Sequence, residues 1–203
     1  RKMSQKGLLT VVSGFSGAGK GTLMKALLAK YADRYALSIS ATTRGPREGE
    51  QDGREYFFLK KEEFEQMIEE DALIEHAQYV GNYYGTPKKY VMEQREAGKD
   101  VLLEIEIQGA LKVKEKFPDT LLIFVTPPSA KELESRLRGR GTETAEVIEK
   151  RLARAGEEAV YMDQYDYILV NDDLDTCVEE LHHLIQSQHA RSEENREFCA
   201  QMN

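Results

Sequence analysis

Leu8-Leu9-Thr10-Val11-Val12-Ser13-Gly14-Phe15-Ser16-Gly17-Ala18-Gly19-Lys20-Gly21-Thr22 decides how the rest of this chain is read. Its first six residues are apolar or hydroxylated with β-branching prominent, the signature of a strand buried on both faces. The glycine-rich segment that follows runs into a helical pattern over about residues 20–31. Strand, glycine-rich turn and helix in that order are the context in which Gly-x-x-x-x-Gly-Lys cradles phosphate. The glycines let successive N–H groups point at one phosphate, the helix N-terminus adds its positive end, and Lys20 reaches the β- and γ-phosphates of a nucleotide. The general pattern places Ser or Thr directly after the lysine, but here Gly21 intervenes before Thr22. Thr22 is therefore read as a phosphate contact, with Mg²⁺ held mainly by phosphate oxygens and water. The nucleotide-binding set is Gly14, Phe15, Ser16, Gly17, Ala18, Gly19, Lys20, Gly21 and Thr22.

Working outward, residues 101–105, 121–125 and 167–170 are short apolar runs with helical patterns beside them, which predicts a parallel sheet covered on both faces. Residues 44–97 break that rhythm with Gly45, Pro46, Gly49, Gly53, an aromatic Tyr56-Phe57-Phe58 and a charged helix from Lys60, and read as an inserted α+β subdomain. Pro127-Pro128 ends a strand, and Ser129 with Glu132 predicts a capping box for a helix reaching about residue 138. Gly139 and Gly141 loosen the chain before a second helical pattern over residues 144–163, and the pair has the form of a lid. A last helix from about residue 174 loses its apolar face after Ile185 and is predicted to fray over residues 187–203. The fold class is α/β: one domain over residues 1–203, with a P-loop parallel-sheet core flanked by helices, an inserted α+β subdomain and a helical lid. The expected bounds are about 5–43, 98–135 and 165–190 for the core, 44–97 for the insertion and 136–164 for the lid.

A chain of 203 residues, 40% hydrophobic, is long enough to bury a core. No apolar run approaches a membrane span, and no membrane role is expected. Residues 1–6 are polar and lack the apolar stretch of a secretory signal, which points to the cytoplasm. The net charge of −8 opposes tight binding to a nucleic-acid backbone. Cys177 and Cys199 have no C-x-x-C partner and read as free thiols. The four histidines form no metal set.

A phosphate loop fixes a nucleotide but not a reaction. The Asn-Lys-x-Asp guanine motif of regulatory GTPases is absent. The stretch Ser38-Ile39-Ser40-Ala41-Thr42-Thr43-Arg44-Gly45-Pro46-Arg47 carries two arginines three apart around a Gly-Pro turn. Guanidinium forks with hydroxyl donors suit a phosphate monoester dianion, so Arg44 and Arg47 with Tyr56 and Tyr84 make a cradle. Together with Gly49-Glu50, Glu75, Gly81-Asn82-Tyr83-Tyr84-Gly85-Thr86 and Asn171-Asp172-Asp173, this stretch closely resembles the guanylate kinase family, in the family's order and approximate spacing. The resemblance covers most of the chain.

That resemblance implies ATP as donor, GMP (with dGMP) as acceptor, ADP and GDP as products, and Mg²⁺ as cofactor. It makes Ser40, Arg44, Arg47, Tyr56, Glu75, Tyr84, Thr86 and Glu106 the GMP contacts, with Glu75 reading the base. Guanine offers N1–H and its exocyclic amine as adjacent donors to one carboxylate, and adenine offers no such pair. Glu104 and Glu106 stand where better-known relatives carry aspartates. Alternation on a strand would set both on one face at the carboxyl edge of the sheet, with Glu104 an outer-sphere Mg²⁺ candidate and no direct metal ligand assigned. The lid concentrates Arg136, Arg138, Arg140, Arg151 and Arg154. By resemblance Arg136, Arg140 and Arg151 act on the transferred phosphoryl group with Lys20 and Arg44, while Arg138 and Arg154 form ion pairs with nearby glutamates. Asn171 approaches adenine in the family, and Asp172 or Asp173 fits the N-cap of the final helix.

Two rivals stand beside this reading. One is a catalytically dead guanylate-kinase-like interaction module, which typically lacks the intact loop seen here. The other is a kinase for a different small acceptor such as AMP. The sequence leaves monomer and small homo-oligomer both open, and gives no reason for Gly156 inside a helical pattern, where glycine costs about 1 kcal/mol relative to alanine.

Overall fold

The computed structural model describes residues 6–203. The polar start read over residues 1–6, and the core's expected first residue at 5, lie outside them except for Lys6. In chain order the elements are β1 (Leu9–Gly14), α1 (Lys20–Lys30), β2 (Tyr35–Leu37), β3 (Ser40–Thr42), β4 (Tyr56–Phe58), α2 (Lys61–Glu69), β5 (Leu73–Tyr79), β6 (Asn82–Pro87), α3 (Lys88–Glu96), β7 (Asp100–Glu104), α4 (Ile107–Lys116), β8 (Leu121–Thr126), α5 (Ala130–Gly139), α6 (Ala145–Ala159), β9 (Tyr167–Val170), α7 (Leu174–Gln188) and α8 (Arg196–Ala200).

The main sheet is parallel throughout, in the order β2-β7-β1-β8-β9. Its central strand is β1, whose Val11 and Val12 are both buried although they point to opposite faces, which is why the run is apolar without alternation. Val12 lies opposite both Glu104 of β7 and Ile123 of β8, so the carboxyl ends of the three strands come level at one edge. That edge is where an open α/β sheet presents ligands. Helix α1 buries Leu23, Met24 and Leu27 against the sheet and α7, and α7 answers with Cys177, Val178, Leu181 and Ile185. This spacing of three and four keeps one stripe inward.

A second sheet, β4-β3-β6-β5, has its own small core of Ala41, Phe64 and Leu73, with Phe64 stacked on Tyr83 at 4.9 Å. It begins at Ser40, ahead of the expected insertion boundary at 44, because the chain leaves the main sheet after β2 and β3 pairs with β6 through Ala41–Gly85 and Thr42–Tyr84. Helix α3 falls within the expected insertion, yet it packs on β7 and sinks Val91 into the main core.

At the start of α5, the Ser129 hydroxyl accepts from the Glu132 N–H at 3.1 Å, while the Glu132 carboxylate turns to Arg136 instead of the cap, so half of the expected capping box forms. Thr144 caps α6, which ends at Ala159 and gives way to a 3₁₀ turn at Met162–Gln164. The tail expected to fray is folded. Buried Asn195 donates through Nδ2 to the carbonyls of His189 and Arg191, supplying partners that the end of α7 would otherwise lack. Cys177 is buried and Cys199 exposed, both free, and among the described residues no helix is long and apolar enough to cross a membrane.

Candidate active site

The phosphate loop spans the gap between β1 and α1. Gly19 sits at the helix N-cap with φ 85°, a left-handed conformation that favours glycine, and a Cβ there would lie 2.7 Å from Asn171 Nδ2. Lys20 opens α1, and its Nζ donates to the carbonyls of Gly14 at 2.9 Å and Phe15 at 3.2 Å. Burial lowers its pKa, with Glu104, Glu158 and Glu106 pulling the other way. Gly21 and Thr22 follow in the exposed first turn of α1.

Asn171 is 7% exposed and donates through Nδ2 to the Ala18 carbonyl at 2.9 Å. Its own carbonyl accepts from Arg136 Nη2 at 2.8 Å. The asparagine expected near adenine is thus engaged in holding the phosphate loop, and it ties a lid arginine to the same place. The cap of α7 falls to Asp173, whose Oδ2 accepts from Thr176 N at 3.0 Å. Ser16 accepts from Arg151 Nη1 at 2.8 Å, a second link from lid to loop.

The second sheet assembles the other cradle. Parallel pairing of β3 with β4 sets Ser40 beside Tyr56, and antiparallel pairing with β6 sets Thr42 beside Tyr84. Arg44 follows β3 and lies over the rings of Tyr56 at 5.2 Å and Phe58 at 5.9 Å, positioned by cation–π attraction. Glu50 grips its guanidinium with both oxygens. The Glu50 carboxyl is pulled down to about 2, first by Arg44 and then by the Arg47 N–H, and the pair raises Arg44 further above its already high value. The Arg47 side chain is exposed. The sequence assigns Glu50 no role of its own, although Gly49-Glu50 stands among the motifs of the resemblance, six residues beyond Arg44.

Glu75 on β5 accepts from the buried Thr86 hydroxyl at 2.9 Å. Burial raises its carboxyl pKa, with the Thr86 hydrogen bond and then Lys112 opposing. Helix α4 approaches it closely: a Cβ on Gly109 would sit 3.3 Å from Glu75 Oε2.

Strand β7 stops at Glu104, so alternation does not place Glu106 as the sequence suggested. Glu106 is the N-cap of α4, and its carboxylate pairs with Arg154 of the lid at 3.1 Å. The two glutamates still act on one point, since both oppose the burial that lowers the Lys20 pKa. A cleft of about 750 Å³ opens between α4 and α6, with Glu106, Arg154 and Glu158 on its walls. Arg138 pairs with Glu134 and Glu149, and Arg154 with Glu158 as well as Glu106, in line with the ion pairs expected of both. Arg140, at the C-cap of α5, is exposed and has no ion-pair partner among the described residues.

The guanylate kinase family model matches residues 6–188. A guanylate kinase from Caldanaerobacter subterraneus is 53% identical over 196 residues, covering 97% of this chain and 95% of that protein. One from Latilactobacillus sakei is 51% identical over 189 residues, covering 93% of each. The crystal structure of guanylate kinase from Anaplasma phagocytophilum superposes with a TM-score of 0.71 at 30% identity, covering 94% of this chain and 90% of that one. With its phosphate loop, its separate arginine–tyrosine cradle and these matches along nearly its whole length, the chain belongs to the guanylate kinase family.

Proposed function

We propose that this chain transfers the γ-phosphoryl group of ATP to GMP, and to dGMP, releasing ADP and the nucleoside diphosphate. The observation that carries this is the presence of two separate positive cradles: the phosphate loop with Lys20, and Arg44 with Tyr56 and Tyr84 on the second sheet. Glu75, held by Thr86 and partly dehydrated, is the acceptor for the two donors of guanine, and a ligand lacking them leaves it unpaired. Ser40, Arg47 and Glu106 complete the GMP side, with Glu106 exchanging Arg154 for the nucleotide.

An oxygen of the GMP phosphate attacks the γ-phosphorus in line, and the bond to the β–γ bridging oxygen breaks, leaving with ADP. That phosphate is already anionic near neutral pH, so no general base and no covalent intermediate are required. Lys20 holds the β- and γ-phosphates, Arg44 holds the acceptor, and Arg136, Arg140 and Arg151 neutralise charge that develops between them while the lid excludes water. Asn171 serves the ATP side through its grip on the loop.

Mg²⁺ fits this donor set in an outer-sphere manner. Among the described residues no three acidic, histidine or cysteine side chains form a cage, whereas Glu104 is exposed at the sheet edge beside Lys20 and suited to accept from metal-bound water. When bound, Mg²⁺ neutralises phosphate oxygens and keeps the triphosphate in shape.

The test is ADP release with ATP supplied alongside GMP, dGMP, AMP, UMP or CMP. GMP and dGMP are expected to lead by a wide margin. AMP outperforming GMP overturns the role of Glu75, and no ADP release with any acceptor overturns the enzymatic reading.

A further inference from the structure

Glu143 lies in the turn between α5 and α6 and has no part in the reading above. Its Oε1 accepts from Arg151 Nη2 at 2.5 Å, with the two side chains 18% and 33% exposed. The other terminal nitrogen of Arg151 donates to Ser16 Oγ at 2.8 Å. One guanidinium therefore bridges a carboxylate of the lid turn and a hydroxyl of the phosphate loop.

Two local features fix where Glu143 stands. Gly141 takes φ 63° to reverse the chain, and Thr144 caps α6 through the Val147 N–H at 3.3 Å. Glu143 is caught between them, so its carboxylate leaves the turn along the flank of α6. A carboxylate that only stabilised the turn would accept from the N–H groups of that turn. Glu143 accepts from none of them: its one partner among the described residues is Arg151, and its Oε2 is buried without any hydrogen bond. The side chain is committed to the arginine and leaves half its acceptor capacity unused to be there.

We infer that Glu143 is a positioning residue for phosphoryl transfer, holding Arg151 against Ser16 so that its charge is in place before the phosphoryl group moves. An arginine side chain is long and samples many rotamers. A fixed counter-carboxylate removes that search, which is the kind of preorganisation that lowers a barrier without adding a contact to substrate. The inference rests on the reading of Arg151 as a lid arginine that acts on the transferred group.

The test is a double-mutant cycle on kcat, with KM for both nucleotides and melting temperatures measured on Glu143→Ala, Glu143→Gln, Arg151→Ala and the Glu143→Ala/Arg151→Ala protein. Glu143→Ala is expected to lower kcat by about tenfold with KM for GMP nearly unchanged, and Glu143→Gln by less, because it keeps an acceptor oxygen. Once Arg151 is alanine, removing Glu143 is expected to change kcat by less than about twofold. Losses that multiply in the double variant, or full kcat in both Glu143 variants, overturn the inference. If Glu143→Ala does not fold, the same cycle with Glu143→Gln decides. Arg151→Ala with wild-type kcat removes Arg151 from the catalytic reading and this inference with it, whereas a slow Arg151→Ala beside unaffected Glu143 variants removes the inference alone.

Discussion

Arg44 and Glu50 meet in a two-bond fork, Nη1 to Oε1 at 2.8 Å and Nη2 to Oε2 at 3.1 Å, with the guanidinium lying over Tyr56. The fork sets the plane of the guanidinium, and Nη1 donates as well to the Gly45 carbonyl at 2.9 Å. Replacing Glu50 by Gln keeps the shape but weakens the charge-assisted bonds. KM for GMP is expected to rise by about 5–10-fold, equivalent to about 1–1.4 kcal/mol, with KM for ATP unchanged. Equal rises for both nucleotides contradict a role confined to the acceptor side.

The same fork predicts an acid titration. Glu50 is depressed from 4.5 to about 2, so its stabilising contribution is fully present above the unfolded value and is lost as pH falls through the folded one. A carboxyl NMR titration is expected to find Glu50 still ionised at pH 3.5, where ordinary glutamates are largely protonated. A midpoint near 4.5 dissolves the fork in solution.

Glu75 behaves in the opposite sense, because burial raises its pKa. Between the unfolded and folded values the native chain binds more protons than the unfolded one, so stability falls as pH rises through that window. Glu75→Gln is therefore expected to melt higher than the parent at pH 7 and to lose that advantage near pH 3, where the carboxyl is protonated in both states. Its KM for GMP is expected to rise about 10–100-fold, the scale of hydrogen bonds to a charged group. Thermal melts at the two pH values and steady-state kinetics check both arms.

Lys20→Met removes the ammonium that closes on the Gly14 and Phe15 carbonyls at the head of α1. Turnover is expected to fall by at least about 10²-fold while GMP affinity by calorimetry stays within about twofold, since the acceptor cradle lies on the other sheet. Near-normal turnover contradicts the assignment of the phosphate loop.

Gly156 breaks the propensity of α6 with no steric reason: a Cβ there meets nothing within 4 Å. Gly156→Ala is expected to stabilise the protein by about 0.8–1 kcal/mol, a rise of roughly 2–4 °C in melting temperature. A fall in Tm shows that the open space beside α6 is filled in solution.

Much of this was legible because its signals are local. The β1 strand, phosphate loop and α1 are contiguous, and a cap at Asp172 or Asp173 before Leu174 is readable from residue type, with Asp173 the one that forms it. What was missed depends on chain reversals. Tyr35–Leu37 is too short to announce itself as an edge strand, and Ser40–Thr42 joins the second sheet through pairing with residues forty or more positions away. Glu106 was placed by strand alternation, but α4 begins at Ile107 and a helix start sends its carboxylate toward Arg154. The resemblance gives Asn171 a role near adenine, whereas its buried bond to Ala18 depends on the end of β9 lying beside the loop. In the folded tail, buried Asn195 ties back to the carbonyls of His189 and Arg191, and no periodicity marks it.

The central claim is that one chain carries a donor cradle at the phosphate loop and a separate acceptor cradle that reads guanine. Calorimetric titration of the protein with GMP and with AMP, repeated on Glu75→Gln, tests it most directly. GMP is expected to bind saturably and at least about tenfold tighter than AMP, with the preference collapsing in the variant. Equal binding of the two nucleotides by the parent protein, or no uptake of GMP at all, would contradict it.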